Sequence, residues 1–167
     1  MQHVNRQQAS GAYRYGGLNG LLATAFVSMI AHWAAFALSS PLIRFPVAAL
    51  AYKMRGNEPH PGFGIGMFAA NATSLPGAKL LASGLLIGGV SWACWSWLDR
   101  GRRLWCSIAF GFLIGMWQLW PFVTAQIGDG SHFALEKIAA EILVRGFVVA
   151  SSLMAALWML RHFERKK

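Results

Sequence analysis

Four apolar runs, residues 18–38, 80–98, 104–125 and 138–160, take up about half of the 167-residue chain. Each is long enough to cross a hydrocarbon core as a helix of roughly 20 residues. The pattern predicts an all-α membrane protein with four transmembrane helices, folded as a single integral membrane domain over residues 1–167. Within each run the small and polar residues fall on one side. At about 100° per residue, Glu141, Arg145, Val148, Ser152 and Ala156 line one face of the fourth helix, with Leu143, Phe147, Ala150, Met154 and Leu157 opposite. The first face is expected to meet protein and the second lipid. The third run carries a stripe of Ser107, Gly111, Gly115 and Gln118, the second carries Gly84, Gly88, Ser91 and Trp95, and the first carries Ala25, Ser28, His32, Ala35 and Ser39. Glycine and serine at this spacing let helix backbones approach closely. The second and third helices are expected to form a tight glycine-faced hairpin, and the same faces suit either an intramolecular bundle or contact with other subunits.

The connections set the expected orientation. With the N-terminus in the cytoplasm, nine cations (Arg6, Arg14, Arg100, Arg102, Arg103, Arg161, Arg165, Lys166, Lys167) lie inside, and Arg44, Lys53, Arg55, Lys79 and Lys137 lie outside. The positive-inside rule favours that arrangement, with both termini cytoplasmic and a basic tail at 161–167. The corresponding address is a bacterial inner membrane. The start of the chain imitates a signal peptide, with Arg14, an apolar run and Ala35-Phe36-Ala37, but the run exceeds the 7 to 15 residues typical of a signal's apolar region and reads as a retained helix.

The outer connection, 39–79, is unusual for a loop. Pro41 and Pro46 interrupt it, after which residues 47–55 suit either a short interfacial helix with Val47, Leu50 and Met54 on one face or a continuation of the first helix bent at Pro41. Arg44, Lys53 and Arg55 are expected to face headgroups. An apolar glycine-rich loop at 62–68 lacks the strand and glycine spacing of a dinucleotide fingerprint and is expected at the membrane surface. Asn71-Ala72-Thr73 is a glycosylation sequon that matters only for a luminal loop in a eukaryotic host. Trp92, Trp95, Trp97 and Trp105 near one end, and Trp33, Trp117 and Trp120 toward the other, read as interfacial belts.

Composition narrows the function classes. The chain is 56% hydrophobic and 13% charged with a net charge of +9. Because the cations flank apolar runs, anionic lipid headgroups are the expected partner and nucleic acid is disfavoured. Cys94 and Cys106 lie near a cytoplasmic turn at 99–103, where reduced, packed thiols are expected, and two cysteines without neighbouring histidines make no zinc site. No internal repeat is visible.

The chemistry-bearing residues within the runs are His32, Gln118, Glu141 and Arg145, all in the outer half. Charges in hydrocarbon cost roughly 2.5 to 3.5 kcal/mol each, so these groups must pair, reach the interface or line water. The simplest arrangement is an ion pair between Glu141 and Arg145, four apart with the acid first. The functional alternative is an outward-facing cavity in which the two join Gln118 and His32 to hold an anion or proton. A third is a contact with a charged group of a partner subunit. A haem would need a second histidine at similar depth, and pairing His32 with His132 is weakly motivated. A packed His32 bonded to Ser28 or a carbonyl is the structural expectation. With Glu141 the only acid in an apolar run, general acid/base chemistry has little support, and no cofactor or metal is expected. These features point to a non-catalytic integral subunit or assembly factor of a larger membrane complex of the secretion, conjugation, respiratory or transport kind, associating with other membrane subunits or with itself. A small oligomeric transporter, channel or lipid-binding protein is the alternative, and a lipid-modifying enzyme using Glu141 is a third.

Overall fold

The computed structural model of the protein describes residues 16–54, 56, 77–128 and 134–165. Every element among them is helical: α1 (Gly17–Ser39), a π-helical turn (Ser40–Arg44), α2 (Phe45–Met54), α3 (Ala78–Trp97), α4 (Arg100–Gly128) and α5 (Ala134–Arg165). Four stretches, Gly17–Leu50, Ala78–Trp97, Gly101–Thr124 and Ile138–Arg165, are long and apolar enough to cross a membrane. The glycine-rich loop at 62–68, the sequon at Asn71, Arg55, His132, residues 1–15 and the last two lysines lie outside the described residues, whereas residues 161–165 of the basic tail belong to α5.

The first apolar run does not stop at residue 38. Helical backbone continues through Pro41 and Pro46 to Met54, so the prolines modify the helix without ending it. Pro41 and Pro46 have no N–H to give to the carbonyls four residues back, and the chain closes a wider turn in which the Phe45 N–H donates to the Ser40 carbonyl, five residues away. Ser39 Oγ meanwhile donates to the Phe36 carbonyl at 2.6 Å, satisfying one acceptor beside the break. The last two helices outrun their apolar cores, beginning at Arg100 and Ala134 and ending at Gly128 and Arg165. Backbone hydrogen bonding continues into charged sequence because a helix ends where its ladder ends, which hydropathy does not mark.

Packing centres on α1, which lies against both α3 and α5, while α4 closes the far side against α3 and α5. A Cβ placed on Gly84 would stand 2.6 Å from Met29 Cα, and one on Gly88 2.6 Å from both Ala25 Cα and the Thr24 carbonyl oxygen. Those two glycines therefore set direct backbone contact between α3 and α1. On α4, a Cβ at Gly111 would meet Leu153 Cδ1 at 2.7 Å and one at Gly115 would meet Val149 Cγ2 at 3.6 Å, both on α5. The glycine-faced hairpin expected between α3 and α4 is thus corrected: the two glycine stripes face different partners. Four hydroxyls of the bundle bond back along their own helices, Thr24 to Gly20, Ser83 to Lys79, Ser107 to Arg103 and Ser151 to Phe147, while the buried Ser91 and Ser96 hydroxyls have no partner among the described residues. The four bonded hydroxyls enter dry contacts without leaving an unpaired donor.

Three apolar clusters are spaced along the bundle. Trp92, Trp95 and Leu160 form one, Ile87, Ile114 and Val149 the next, and Ala35, Val144 and Val148 the third, with Phe36 and Ile43 packed on the last. Trp92 and Trp95 are consequently core residues, correcting their assignment to an interfacial belt; Trp97, Trp105, Trp117 and Trp120 do face outward. Cys94 is a buried free thiol, but Cys106 is exposed, contrary to the packed thiol expected there. Around α3 to α4 the chain turns at Leu98 and Asp99, whose Asp99 carbonyl accepts the Arg102 and Arg103 N–H groups. Arg103 lies 3.3 Å from Glu164, and a Cβ on Gly16 would stand 3.3 Å from Phe163. The start of α1, the end of α5 and this turn therefore share one end of the bundle. The π turn and the first turns of α5 share the other.

Candidate functional site

The polar groups that the four helices bring together lie near that second end. Glu141 is buried on α5, and its carboxylate faces two guanidinium groups. Arg145, one turn on, stands with Nη2 3.1 Å from Oε2. Arg44 reaches across from the π turn, placing Nε 2.9 Å and Nη2 2.8 Å from Oε1. The expected intrahelical pair exists, but it is half of a three-charge cluster. Arg44, expected to face headgroups, is also tied to protein: its side chain is 18% exposed and paired with Glu141 on α5.

The π turn positions Arg44. In an unbroken α-helix Arg44 would lie about 140° around the axis from Ser39, which faces the bundle. The i→i+5 bonding of a π turn fits more residues into one revolution and swings Arg44 back toward α5. Ile43 turns with it and packs on Ala35, Val144 and Val148. Phe36, one turn before Ser40 on α1, offers its ring to both cations, with the Arg44 and Arg145 guanidinium carbons 5.1 and 5.8 Å from its centroid.

From Arg145 a hydrogen-bond chain runs inward. Arg145 Nη1 donates to Gln118 Oε1 at 3.4 Å, Gln118 Nε2 lies 3.1 Å from His32 Nε2, and His32 Nδ1 lies 2.6 Å from Ser152 Oγ. Ser152 Oγ in turn donates to the Val148 carbonyl at 2.9 Å. A guanidinium can only donate, and that settles every polarity beyond it. Gln118 must present its oxygen to Arg145 and its amide nitrogen to the ring; His32 Nε2 must accept, leaving the proton on Nδ1; and the Ser152 oxygen receives it. His32 is therefore a neutral ring with its proton on Nδ1, assigned from the bonding pattern. Ser28 also reaches α5, donating to the Ser152 carbonyl at 3.2 Å, and does not bond His32 as expected.

His32, Gln118, Glu141 and Arg145 are thus brought into one connected network, together with Arg44, Ser152 and Phe36, which sequence reasoning did not include. A signal for Arg44 did exist: prolines at 41 and 46 bracket it and disturb the helix just where a basic residue follows an apolar run. The packing residues Gly84, Gly88, Ser107, Gly111 and Gly115 lie outside the network and support it. His32 Cβ itself lies 2.9 Å from where a Gly84 Cβ would be, so any side chain there would displace the imidazole's helix.

Among the described residues the cluster holds one carboxylate against two guanidiniums, a surplus of one positive charge. Two of the three donor nitrogens of Arg44, Nε and Nη2, are directed at one carboxylate oxygen, and the buried Nε of Arg145 has no hydrogen-bond partner. Glu141 Oε2 has an ion-pair distance to Arg145 but no aligned hydrogen bond. Among the described residues no three acidic, histidine or cysteine side chains converge as a metal-binding group would require. Chemically the arrangement orders a cation surplus, holds one imidazole in one tautomer and ties α1, the π turn, α4 and α5 together. Comparison with protein-family models, with curated proteins and with solved structures finds no match to this chain.

Proposed function

We propose that the protein is a non-catalytic integral inner-membrane subunit or assembly factor of a larger membrane complex, with both termini cytoplasmic. One observation carries this reading: the residues capable of chemistry in the apolar segments are bonded to one another. His32 is engaged at both ring nitrogens, Gln118 at both amide atoms and Glu141 by two arginines. Such a network fixes the rotation and register of four helical segments and presents a defined outer surface, which is what a scaffold needs. The distribution of cations between the connections supports the orientation. The association is tested by extracting the protein from native membranes in a mild detergent and measuring the mass and composition of the particle that contains it. A stoichiometric assembly with other membrane subunits is expected, and a monodisperse, partner-free monomer would refute the reading.

A second reading, a lipid-binding or transporting protein, is favoured by the cation surplus at Arg44, Arg145 and Glu141. Its test is flux or lipid exchange in vesicles, compared between the wild type and an Arg44→Gln variant.

A further inference from the structure

We infer that Arg44 and Arg145 form a binding site for a phosphate group, supplied by the headgroup of an anionic phospholipid. The inference goes beyond the subunit role and holds whether or not partners are found. Depth is the first argument. Arg44 lies 26 residues beyond Leu18, where the first apolar run begins, and at 1.5 Å per residue the intervening helix spans about 39 Å. The hydrocarbon core is about 30 Å thick, so with Leu18 near one edge Arg44 reaches the headgroup layer at the other, even with the usual tilt of about 20°. Arg145 is held beside it by their shared carboxylate.

Charge is the second argument. Two guanidiniums share one carboxylate and one aromatic face, Phe36, leaving one positive charge without a counter-ion inside the cluster. Leaving that charge unmatched next to hydrocarbon is costly, and a phosphodiester carries the single negative charge that neutralises it. Geometry is the third. The side chains are 18% and 20% exposed, so an oxyanion reaches them from outside the bundle. Arg44 directs Nε and Nη2 at one carboxylate oxygen, which leaves its Nη1 for a second anion. Paired guanidiniums are well matched to phosphate oxygens.

The test uses the full chain in phosphatidylcholine nanodiscs, with phosphatidylglycerol added as 10% of the lipid in one arm and inorganic phosphate added to the buffer in another, each read by native mass spectrometry and by the thermal unfolding midpoint. The expected result is retention of phosphatidylglycerol over phosphatidylcholine, weakened about five-fold by Arg44→Gln and largely restored by Arg44→Lys, which returns the charge. Arg161→Gln, at the opposite end of the bundle, should leave the preference unchanged. Protection by inorganic phosphate with the same dependence on Arg44 would support the site while identifying free phosphate as its source. Equal retention of the two lipids by the wild type with no effect of phosphate overturns the inference, as does a preference that survives Arg44→Gln intact. Should Arg44→Gln fail to fold, the wild-type lipid comparison and Arg44→Lys decide: no wild-type preference overturns the site, and a preference held by both sustains it.

Discussion

Substituting Gly88 by alanine tests the contact on which the bundle is built. The new Cβ would stand 2.6 Å from Ala25 Cα, 2.6 Å from the Thr24 carbonyl oxygen and 2.8 Å from Ser28 Cβ. Ordinary contact begins at 3.4 Å, so α1 and α3 must part by at least 0.8 Å, the difference between 3.4 and 2.6. Two of the three neighbours are backbone atoms, which cannot rotate aside. Overpacking costs about 1–3 kcal/mol, and two backbone neighbours at 2.6 Å put this site in the upper part of that range, about 2–3 kcal/mol; alanine's better helix propensity returns about 1 kcal/mol, leaving a net loss of about 1–2 kcal/mol. Gly115→Ala is the internal control, because its Cβ would meet Val149 Cγ2 at an ordinary 3.6 Å; it should be neutral or gain up to about 1 kcal/mol. Both are measured by titrating dodecyl sulfate into detergent micelles and following tryptophan fluorescence, which reports on the buried Trp92 and Trp95. A Gly88→Ala protein as stable as the wild type, or a Gly115→Ala protein destabilised as much as Gly88→Ala, would refute the packing argument.

Three further predictions concern the network. Glu141→Gln leaves Arg44 and Arg145 facing each other without their anion and should cost about 3 kcal/mol, whereas Glu141→Gln combined with Arg145→Gln should cost less than the two single changes summed, as the same unfolding assay would show; strict additivity would disprove the coupling. Nitrogen-15 spectra of the histidine rings in lipid should show His32 protonated at Nδ1 and bare at Nε2, and a proton on Nε2 would break the polarity deduced from Arg145. Pro41→Ala restores a backbone N–H and should let the π turn relax toward α-helix, withdrawing Arg44 from Glu141. It is therefore expected to remove most of the destabilising effect of a subsequent Arg44→Gln change, and a full, unreduced effect of Arg44→Gln in the Pro41→Ala background would show that the π turn does not position Arg44.

What the sequence discloses follows from what periodicity measures. Hydropathy and length are properties of one segment, so the four apolar runs were legible, and so was the inward face of α5 through Glu141, Val148, Ser152 and Ala156. The partner of a face is a property of two segments. The stripes of Gly84 and Gly88 and of Gly111 and Gly115 advertise close approach without naming the approaching helix, and the hairpin inferred from chain proximity paired them wrongly. Trp92 and Trp95 lie near a turn, but their angular position decides their burial: Trp95 shares its stripe with Gly84, Gly88 and Ser91, which is the buried side. Arg44 was missed for a related reason. An α-helical count from Ser39 turns residue 44 away from the bundle, and only the π turn brings it back.

The network then has a role that apolar packing cannot fill. Lipid tails are as apolar as leucine, so burying Ile87 or Val148 against another helix gains little hydrophobic free energy over leaving it in lipid. Apolar contact by itself therefore distinguishes weakly among rotations and slides of one helix on another. Directional bonds distinguish strongly. Turning α4 by one residue, about 100°, would carry Gln118 out of reach of both His32 and Arg145, stranding an acceptor on the ring and a donor on the guanidinium, each at about 1–3 kcal/mol. Shifting α1 by one residue would break both contacts of His32 and the bond from Ser28 to Ser152 together. Glycine contacts set how near the helices come, and the bonded chain from Ser152 to Arg44 sets which way they face. The same chain ends at Arg44 and Arg145, so if the inferred phosphate site exists, the device that orients the helices also carries it.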